Sequence, residues 1–200
     1  LRKQYNIETN EIVIGSFQKD GQGWGEGNTP KLIKGPDIFI KVISILKKRG
    51  INIKVFLTGP ARGYIKNKLN NMNIPFIHEF LEDANEINLR YRVLDIYLIT
   101  SREEGGPKGL IEAMASGIPV ISTNVGMSYD LIENRINGCI SYRNDPNELA
   151  NYILQLLKDK KLKQNCKSNG LSRVKNVGWE NVGNIHYNKI YLPLLKNEIK

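Results

Sequence analysis

Ser101 to Thr123 reads SREEGGPKGLIEAMASGIPVIST, and this stretch decides the fold. An apolar run, Ile96 to Thr100 (IYLIT), precedes it and reads as a buried strand. Glu103, Glu104, Gly105, Gly106 and Pro107 then break regular structure. From Lys108 the spacing turns helical, with Leu110, Ile111, Met114 and Ala115 expected on one inward face. Gly117 stops the helix and Pro119 follows, the usual end signal. Pro119 to Thr123 (PVIST) is the next strand. Strand, glycine loop, helix and strand make a parallel crossover. Its loop falls at the carboxyl end of the first strand, where open α/β sheets bind ligands.

Two carboxylates mark this loop. Glu104 sits before the break and Glu112 lies one to two turns into the helix, with seven residues between them. Helical side chains lean toward the amino end, so Glu112 can reach back toward the loop. The amides of Gly105, Gly106 and the residues after them open the helix and attract anions. Amide donors beside two carboxylates suit a ligand that carries both phosphates and hydroxyls, as a sugar nucleotide does. The plainer reading makes both glutamates solvated surface residues.

The run Glu104-Gly105-Gly106, followed by Glu112-Ala113-Met114-Ala115-Ser116-Gly117-Ile118-Pro119-Val120-Ile121, resembles the signature of the family 4 retaining glycosyltransferases. Those enzymes have the GT-B fold. The resemblance implies that the chain is the carboxyl-terminal, donor-binding half of such an enzyme, with the acceptor half upstream. It implies transfer of a sugar from a nucleotide diphosphate donor, of UDP or GDP type, to an acceptor hydroxyl, with no metal and no further cofactor. Glu104 would hold donor-sugar hydroxyls and favour positive charge developing at the anomeric carbon, the catalytic role. Glu112 would accept from the ribose hydroxyls. In the family a Gly-Arg ends the first strand, a Lys-Gly opens the next helix, and the Arg and Lys hold the diphosphate. Lys34-Gly35 matches, and Gly15 matches, but Ser16 stands where the family has Arg. Lys19, Lys31 or the other half of the protein is expected to supply that charge. Gly15, Ser16, Lys19, Lys34, Gly35, Gly105, Gly106 and Glu112 are thus the expected donor-binding residues.

Working outward, Glu11 to Phe17 (EIVIGSF) reads as the first strand. A glycine-rich loop follows (KDGQGWGEGNTPKLIKG), read either as a mobile insertion or as a flap that carries Trp24 over a ligand. Lys34-Gly35 then opens a helix over Pro36 to Arg49, and a lysine with free amides at a helix start is an anion site. Ile53 to Thr58 is a second strand, a helix is expected near Tyr64 to Met72, and Phe76 to Phe80 is a third strand. Arg62, in the turn after Gly59-Pro60, reads either as reaching phosphate or, the favoured expectation, as solvated, and His78 is expected to pack within its strand. The segment after Phe80 resembles the family's base-contacting loop. Beyond Thr123 a short helix near Tyr129 to Glu133, a strand over Cys139 to Tyr142 and a helix over Pro146 to Leu157 follow, the last capped by Asp145. Helices over Lys161 to Lys175 and Trp179 to Leu195 end the pattern. About six strands alternating with helices predict a doubly wound, Rossmann-like parallel sheet, one half of a GT-B fold.

Composition sets the bounds. The 200 residues suffice for one sizeable core, and 40% apolar with 24% charged residues suits a globular protein. The chain does not begin with Met and shows no signal peptide, so it reads as part of a longer protein. Residues 1–10 are expected to be a linker from an amino-terminal domain, 11–178 the donor domain, and 179–200 a terminal helix crossing back, as Trp179-Glu180-Asn181-Val182 resembles the start of that segment in the family. Cys139 and Cys166 read as reduced thiols of a cytoplasmic protein. Of the net charge of +9, residues 158–200 supply +7, with ten Lys/Arg against three Asp/Glu. Such a region offers contact with the inner membrane surface; lysines without an Arg-rich or aromatic motif argue against nucleic acid, and the plainer reading is a solvated helical face. The rival functions are a sugar-nucleotide epimerase on the same fold and a non-enzymatic basic binding module.

Overall fold

The six apolar runs form one sheet in the computed structural model, which describes residues 1–198. Its strands are β1 Ile12–Phe17, β2 Ile53–Thr58, β3 Phe76–Glu79, β4 Ile96–Ile99, β5 Val120–Thr123 and β6 Cys139–Ser141, all parallel, in the order β3-β2-β1-β4-β5-β6. The connecting helices are α1 Pro36–Lys48, α2 Gly63–Asn71, α3 Ile87–Tyr91, α4 Lys108–Ala115 and α5 Ser128–Leu131. After β6 come α6 Pro146–Lys158, α7 Lys160–Val174 and α8 Trp179–His186, which runs on through a π-helical turn, Tyr187–Tyr191, into α9 Leu192–Glu198. The last two positions of the expected terminal helix, 199 and 200, lie outside the described residues.

Alternation along the strands builds a core on each face. Ile14, Val55, Leu57, Ile96, Leu98, Ile121 and Cys139 face one side, where α1, α2 and α6 cover them. Val13, Phe56, Tyr97, Ile99, Val120 and Ile140 face the other, under Tyr91 of α3, Leu110, Ala113 and Met114 of α4, and Leu131 of α5. A strand with both faces covered needs largely apolar residues, which is why the central strands read as near-continuous runs rather than alternating ones. α1 is typical of the covering layer. Pro36 occupies its first turn, Asp37 and Lys47 with Lys48 complement its two ends, and Ile38, Phe39, Val42, Ile43 and Leu46 are buried on one stripe. Each such side chain contributes about 1.5–3 kcal/mol on burial, so Phe39→Ala alone is expected to cost about 3–5 kcal/mol.

Two expectations need correction here. On α4 the inward residues are Leu110, Ala113 and Met114, while Ala115 is exposed. At about 100° per residue, position 115 points some 140° away from 110, whereas 113 and 114 flank it. Arg62, expected in solvent, is fully buried, with 0% of its surface exposed. The glycine-rich loop is tied down on the scaffold: Gly21 bridges Pro30, the Gln22 amide donates to Thr29 O at 2.9 Å, and the Gly63 and Tyr64 amides at the start of α2 donate to Glu26 O and Gly27 O. Residues 1–10 form turns held against the sheet by Arg2, which donates to Val93 O at 2.9 Å and pairs with Asp95 at 3.1 Å.

Candidate functional site

The strand order reverses between β1 and β4, and the chain leaves both strands at the same edge of the sheet. A crevice opens at such a switch point because the helices after the two strands depart to opposite faces. α1 covers one core and α4 the other, as that rule requires.

The two loops at this edge are stitched together. Gly35 sits at the start of α1 in a left-handed conformation, φ 63°, and a Cβ there would stand 1.7 Å from Thr100 O. Only glycine satisfies both demands. Thr100 Oγ1 donates back to Gly35 O at 2.9 Å, fixing the helix start against the end of β4. The amides of Arg102 and Glu103 donate to Ile33 O at 2.7 and 3.2 Å, and Arg102 grips Asp37 through two contacts of 2.7 Å. The Arg102 pair holds the Asp37 carboxyl below its usual range.

This stitching brings Lys34 to Glu104. Their Nζ and Oε1 atoms are 2.8 Å apart, with 26% and 10% of the respective side chains exposed. Ser101 Oγ also donates to Glu104 Oε1, at 2.6 Å. Gln18 braces the pair from the β1 side, donating through Nε2 to Lys34 O at 3.1 Å. Behind the Glu104 loop, Gly126 lies with φ 45°, where a Cβ would stand 2.2 Å from Gly105 O, and the Met127 amide donates to that oxygen at 3.2 Å. The loop and its backing, from Arg102 to Gly105 and from Asn124 to Gly126, line an open cavity of about 480 Å³.

Glu112 is held by a different element. Tyr91, buried in α3, donates its hydroxyl to Glu112 Oε2 at 2.9 Å. The ring packs on Phe17 and Tyr97, with centroids 4.8 and 5.2 Å away. Burial, then the charges of its neighbours Tyr97 and Glu112, push the Tyr91 hydroxyl well above its ordinary range, and burial takes Tyr97 to about 12. Both phenols are therefore fixed donors across neutral pH, and one face of the Glu112 carboxylate is committed.

The remaining expected residues occupy varied positions. Gly15 is packed inside the sheet, where a Cβ would meet Leu94 Cδ1 at 2.3 Å. Ser16 is buried, and its carbonyl and hydroxyl both accept from Arg62, at 2.9 and 3.1 Å. Lys19 stacks over Trp24, 3.6 Å from the ring centroid, while Trp24 is 82% exposed at the loop tip. Lys19 and Lys31 line a second open cavity with Gly21 and Pro30. Gly105 has open space where a side chain would be. His78 is half-buried, its Nε2 at 2.8 Å from Gly59 O. Among the described residues, no group of three or more His, Cys, Asp or Glu side chains is placed to hold a metal ion. Sequence reasoning missed Gln18, Ser101, Tyr91, Asp20 and Arg62. Their partners are distant in sequence, and a polar residue in a loop or an aromatic one in a short helix carries no sign of which partner it meets.

Fold and crevice define a doubly wound α/β domain with a charged cleft at its switch point. Over residues 30–173 the sequence matches the family of glycosyl transferases group 1, and the chain belongs to that family. An uncharacterized glycosyltransferase of Methanocaldococcus jannaschii is 31% identical over 149 residues, covering 74% of this chain and 41% of the relative. The crystal structure of the carboxyl-terminal domain of the glycosyl transferase group 1 family protein LpcC, from Francisella tularensis, superposes with a TM-score of 0.68 at 25% identity, covering 87% of this chain and 89% of that one. Anabaena HepE in complex with UDP and glucose superposes with a TM-score of 0.72 at 21% identity, covering 88% of this chain and 46% of that one. The chain spans about four tenths of the length of most of the curated relatives it matches, and less of two plant sucrose-phosphate synthases. No helix among the described residues is long and apolar enough to cross a membrane.

Proposed function

We propose that this chain is the donor-binding half of a family 4 retaining glycosyltransferase of GT-B type, which moves a hexosyl group from a nucleoside diphosphate donor to an acceptor hydroxyl. The observation that carries this reading is the Lys34–Glu104 pair at the switch-point crevice, 2.8 Å apart. It places one cation and one carboxylate where a donor would present its diphosphate and its sugar. An ammonium has three donors, so Lys34 can keep Glu104 while also meeting a phosphate oxygen. The Lys34 charge and the amides from Gly35 onward would then stabilise the departing diphosphate. Glu104, fixed by Lys34 and Ser101, would hold donor-sugar hydroxyls and offer negative charge toward the anomeric carbon. Glu112, with one oxygen engaged by Tyr91, has the other for the ribose hydroxyls. That a protein of the same fold, Anabaena HepE, has been crystallised with UDP and glucose fits a nucleotide-sugar ligand.

The acceptor half is assigned to a separate domain of a longer polypeptide, and residues 1–10 to the link with it. The terminal helix is assigned to contact that domain, because α8 and the π-helical turn bury no residue and expose Trp179 (87%), Ile185, Tyr187, Ile190 and Tyr191. Isolated, the chain is expected to bind donor and to turn over no acceptor. We assign the enzyme to the cytoplasm, with the basic region 158–200 as a contact with the inner membrane surface. Calorimetric titration with UDP-, GDP- and ADP-sugars tests the core of this reading. One donor should bind, and Lys34→Ala should abolish or weaken that binding. Binding to none of them by the folded chain would overturn it.

A further inference from the structure

Arg62 lies at the start of α2 with no exposed surface, a position that an arginine occupies only for a reason. Its guanidinium gathers the ends of two strands and a loop. Nη1 donates to Ser16 O at 2.9 Å, to Thr58 O at 3.0 Å and to Gln18 O, while Nη2 donates to Ser16 Oγ at 3.1 Å. Its charge is met by Asp20, whose Oδ2 is 3.1 Å from Nη2 and which is equally buried.

Around this centre the loop of residues 18–31 is fastened along its length. The Lys31 amide donates to Asp20 O at 2.8 Å, closing the loop's base. The first amides of α2, those of Gly63 and Tyr64, donate to Glu26 O and Gly27 O at 2.6 and 2.9 Å. Gly21 and Gly27 both press on Ala61, where an added Cβ would lie 2.4 and 2.3 Å from Ala61 O. Ala61 itself has φ 54°, a left-handed conformation disfavoured for a side chain, which the surrounding contacts must hold in place.

A buried ion pair is weak evidence for stability, because desolvation offsets its attraction. Here burial wins: it pushes the Asp20 carboxyl up to about 6 against the pull of Arg62. Among the described residues both Asp20 carboxylate oxygens and Arg62 Nε lack a hydrogen bond. The pair's effect is geometric. It fixes Gln18, and Gln18 is the residue that reaches the crevice, donating to Lys34 O at 3.1 Å, with its Oε1 3.3 Å from Ser101 Oγ.

We propose that Arg62 is a positioning residue: paired with Asp20, it locks the 18–31 loop and, through Gln18, sets Lys34 and Glu104 in register for a nucleoside diphosphate. The inference rests on the donor-site reading above for its ligand. The guanidinium sits against Ser16, so the β2–α2 turn supplies from within the scaffold an arginine that touches the end of β1 without facing the crevice. The diphosphate is then left to Lys34, and the arginine acts on it only through Gln18.

The test uses Arg62→Lys and Gln18→Ala, with amide hydrogen exchange and titration against UDP, GDP and ADP. Lysine keeps the charge but cannot span the carbonyls, the hydroxyl and the carboxylate together. In Arg62→Lys, the amides of Gln22, Lys31, Lys34 and Gly35 should exchange at least tenfold faster while those of β2 and β4 keep their protection. Gln18→Ala should leave Gln22 and Lys31 protected, release Lys34 and Gly35, and weaken the nucleotide that the wild type binds by at least fivefold. Unchanged loop protection in Arg62→Lys overturns the inference, and so does Gln18→Ala with wild-type exchange at Lys34 and Gly35. If Arg62→Lys loosens the whole sheet, Gln18→Ala decides alone. If the wild type binds none of the three nucleotides, the donor reading fails and the exchange data still judge the lock.

Discussion

The Lys34 ammonium and the Glu104 carboxylate, seventy residues apart in the chain, meet at 2.8 Å across the gap between the β1–α1 and β4–α4 connections. Neither helix alone could set that distance. It follows from Gly35 lying against Thr100 O, from Arg102 gripping Asp37, and from Ser101 holding the carboxylate in its rotamer. The crevice is a joint between two loops, and each of its charges is held by the other loop.

Lys34→Ala should weaken nucleoside diphosphate binding by removing a charge-assisted hydrogen bond, about 1.5–3 kcal/mol, or roughly ten- to a hundred-fold in Kd. The fold should survive, because Ser101 still holds Glu104. Calorimetry on the folded variant checks this, and an unchanged Kd would move the phosphate site toward Lys19 and Lys31.

Glu104 and Glu112 should separate by role. Glu112→Gln is expected to lower affinity for the bare diphosphate and for the sugar nucleotide alike, since ribose is common to both. Glu104→Gln should spare the bare diphosphate and, in the longer polypeptide that carries the acceptor half, cut the rate of transfer. An interaction made as charge develops acts on rate more than on ground-state binding. Loss of diphosphate binding in Glu104→Gln would refute this division.

Tyr91→Phe isolates the bond that orients Glu112. The ring stays between Phe17 and Tyr97, so the loss is confined to the hydroxyl. One hydrogen bond to a charged group contributes about 1.5–3 kcal/mol. Nucleotide affinity should fall several-fold or more, and the loss should vanish when Glu112→Gln is made in the same chain. Additive losses in that double mutant would show that the two residues act separately.

The parts legible in sequence and the parts that were not differ in physical kind. Ile53–Thr58 was readable to the residue because β-branched and apolar residues dominate it, Val55, Phe56 and Leu57 at its centre, and Gly59-Pro60 ends it. Asp145 was readable as a cap because capping is local, and its side chain does accept from the Asn147 amide at 2.8 Å. Glu104, Glu112 and Lys34-Gly35 stood out because glycine breaks surround them. Arg62 and Asp20 were opaque. They are separated by forty-two positions, charged residues are exposed by default, and only the assembled edge of the sheet shows that a carboxylate waits inside. Tyr91 was hidden similarly, in a short helix whose one buried residue it is.

The buried Asp20 makes a prediction about pH. Its carboxyl is raised from the ordinary 3.8 to about 6 because burial penalises the charged form more than Arg62 favours it. The folded chain therefore holds a proton that the unfolded chain has released between about pH 4 and pH 6. With the folded value the higher, this group's contribution to stability is fully present below the unfolded value and is lost as pH rises through the folded one. Taken over that window, the change is on the order of 2–3 kcal/mol. Asp20→Asn cannot titrate, and it lacks this dependence, while every other carboxylate is shared by both proteins. Denaturant unfolding of wild type and variant at pH 4.5 and pH 7 isolates the difference. The wild type should lose stability relative to Asp20→Asn as pH rises, with most of the change below about pH 6.5. A difference that stays flat, or that grows with pH, would show that Arg62 keeps Asp20 ionised throughout and that the attraction of the pair outweighs its burial.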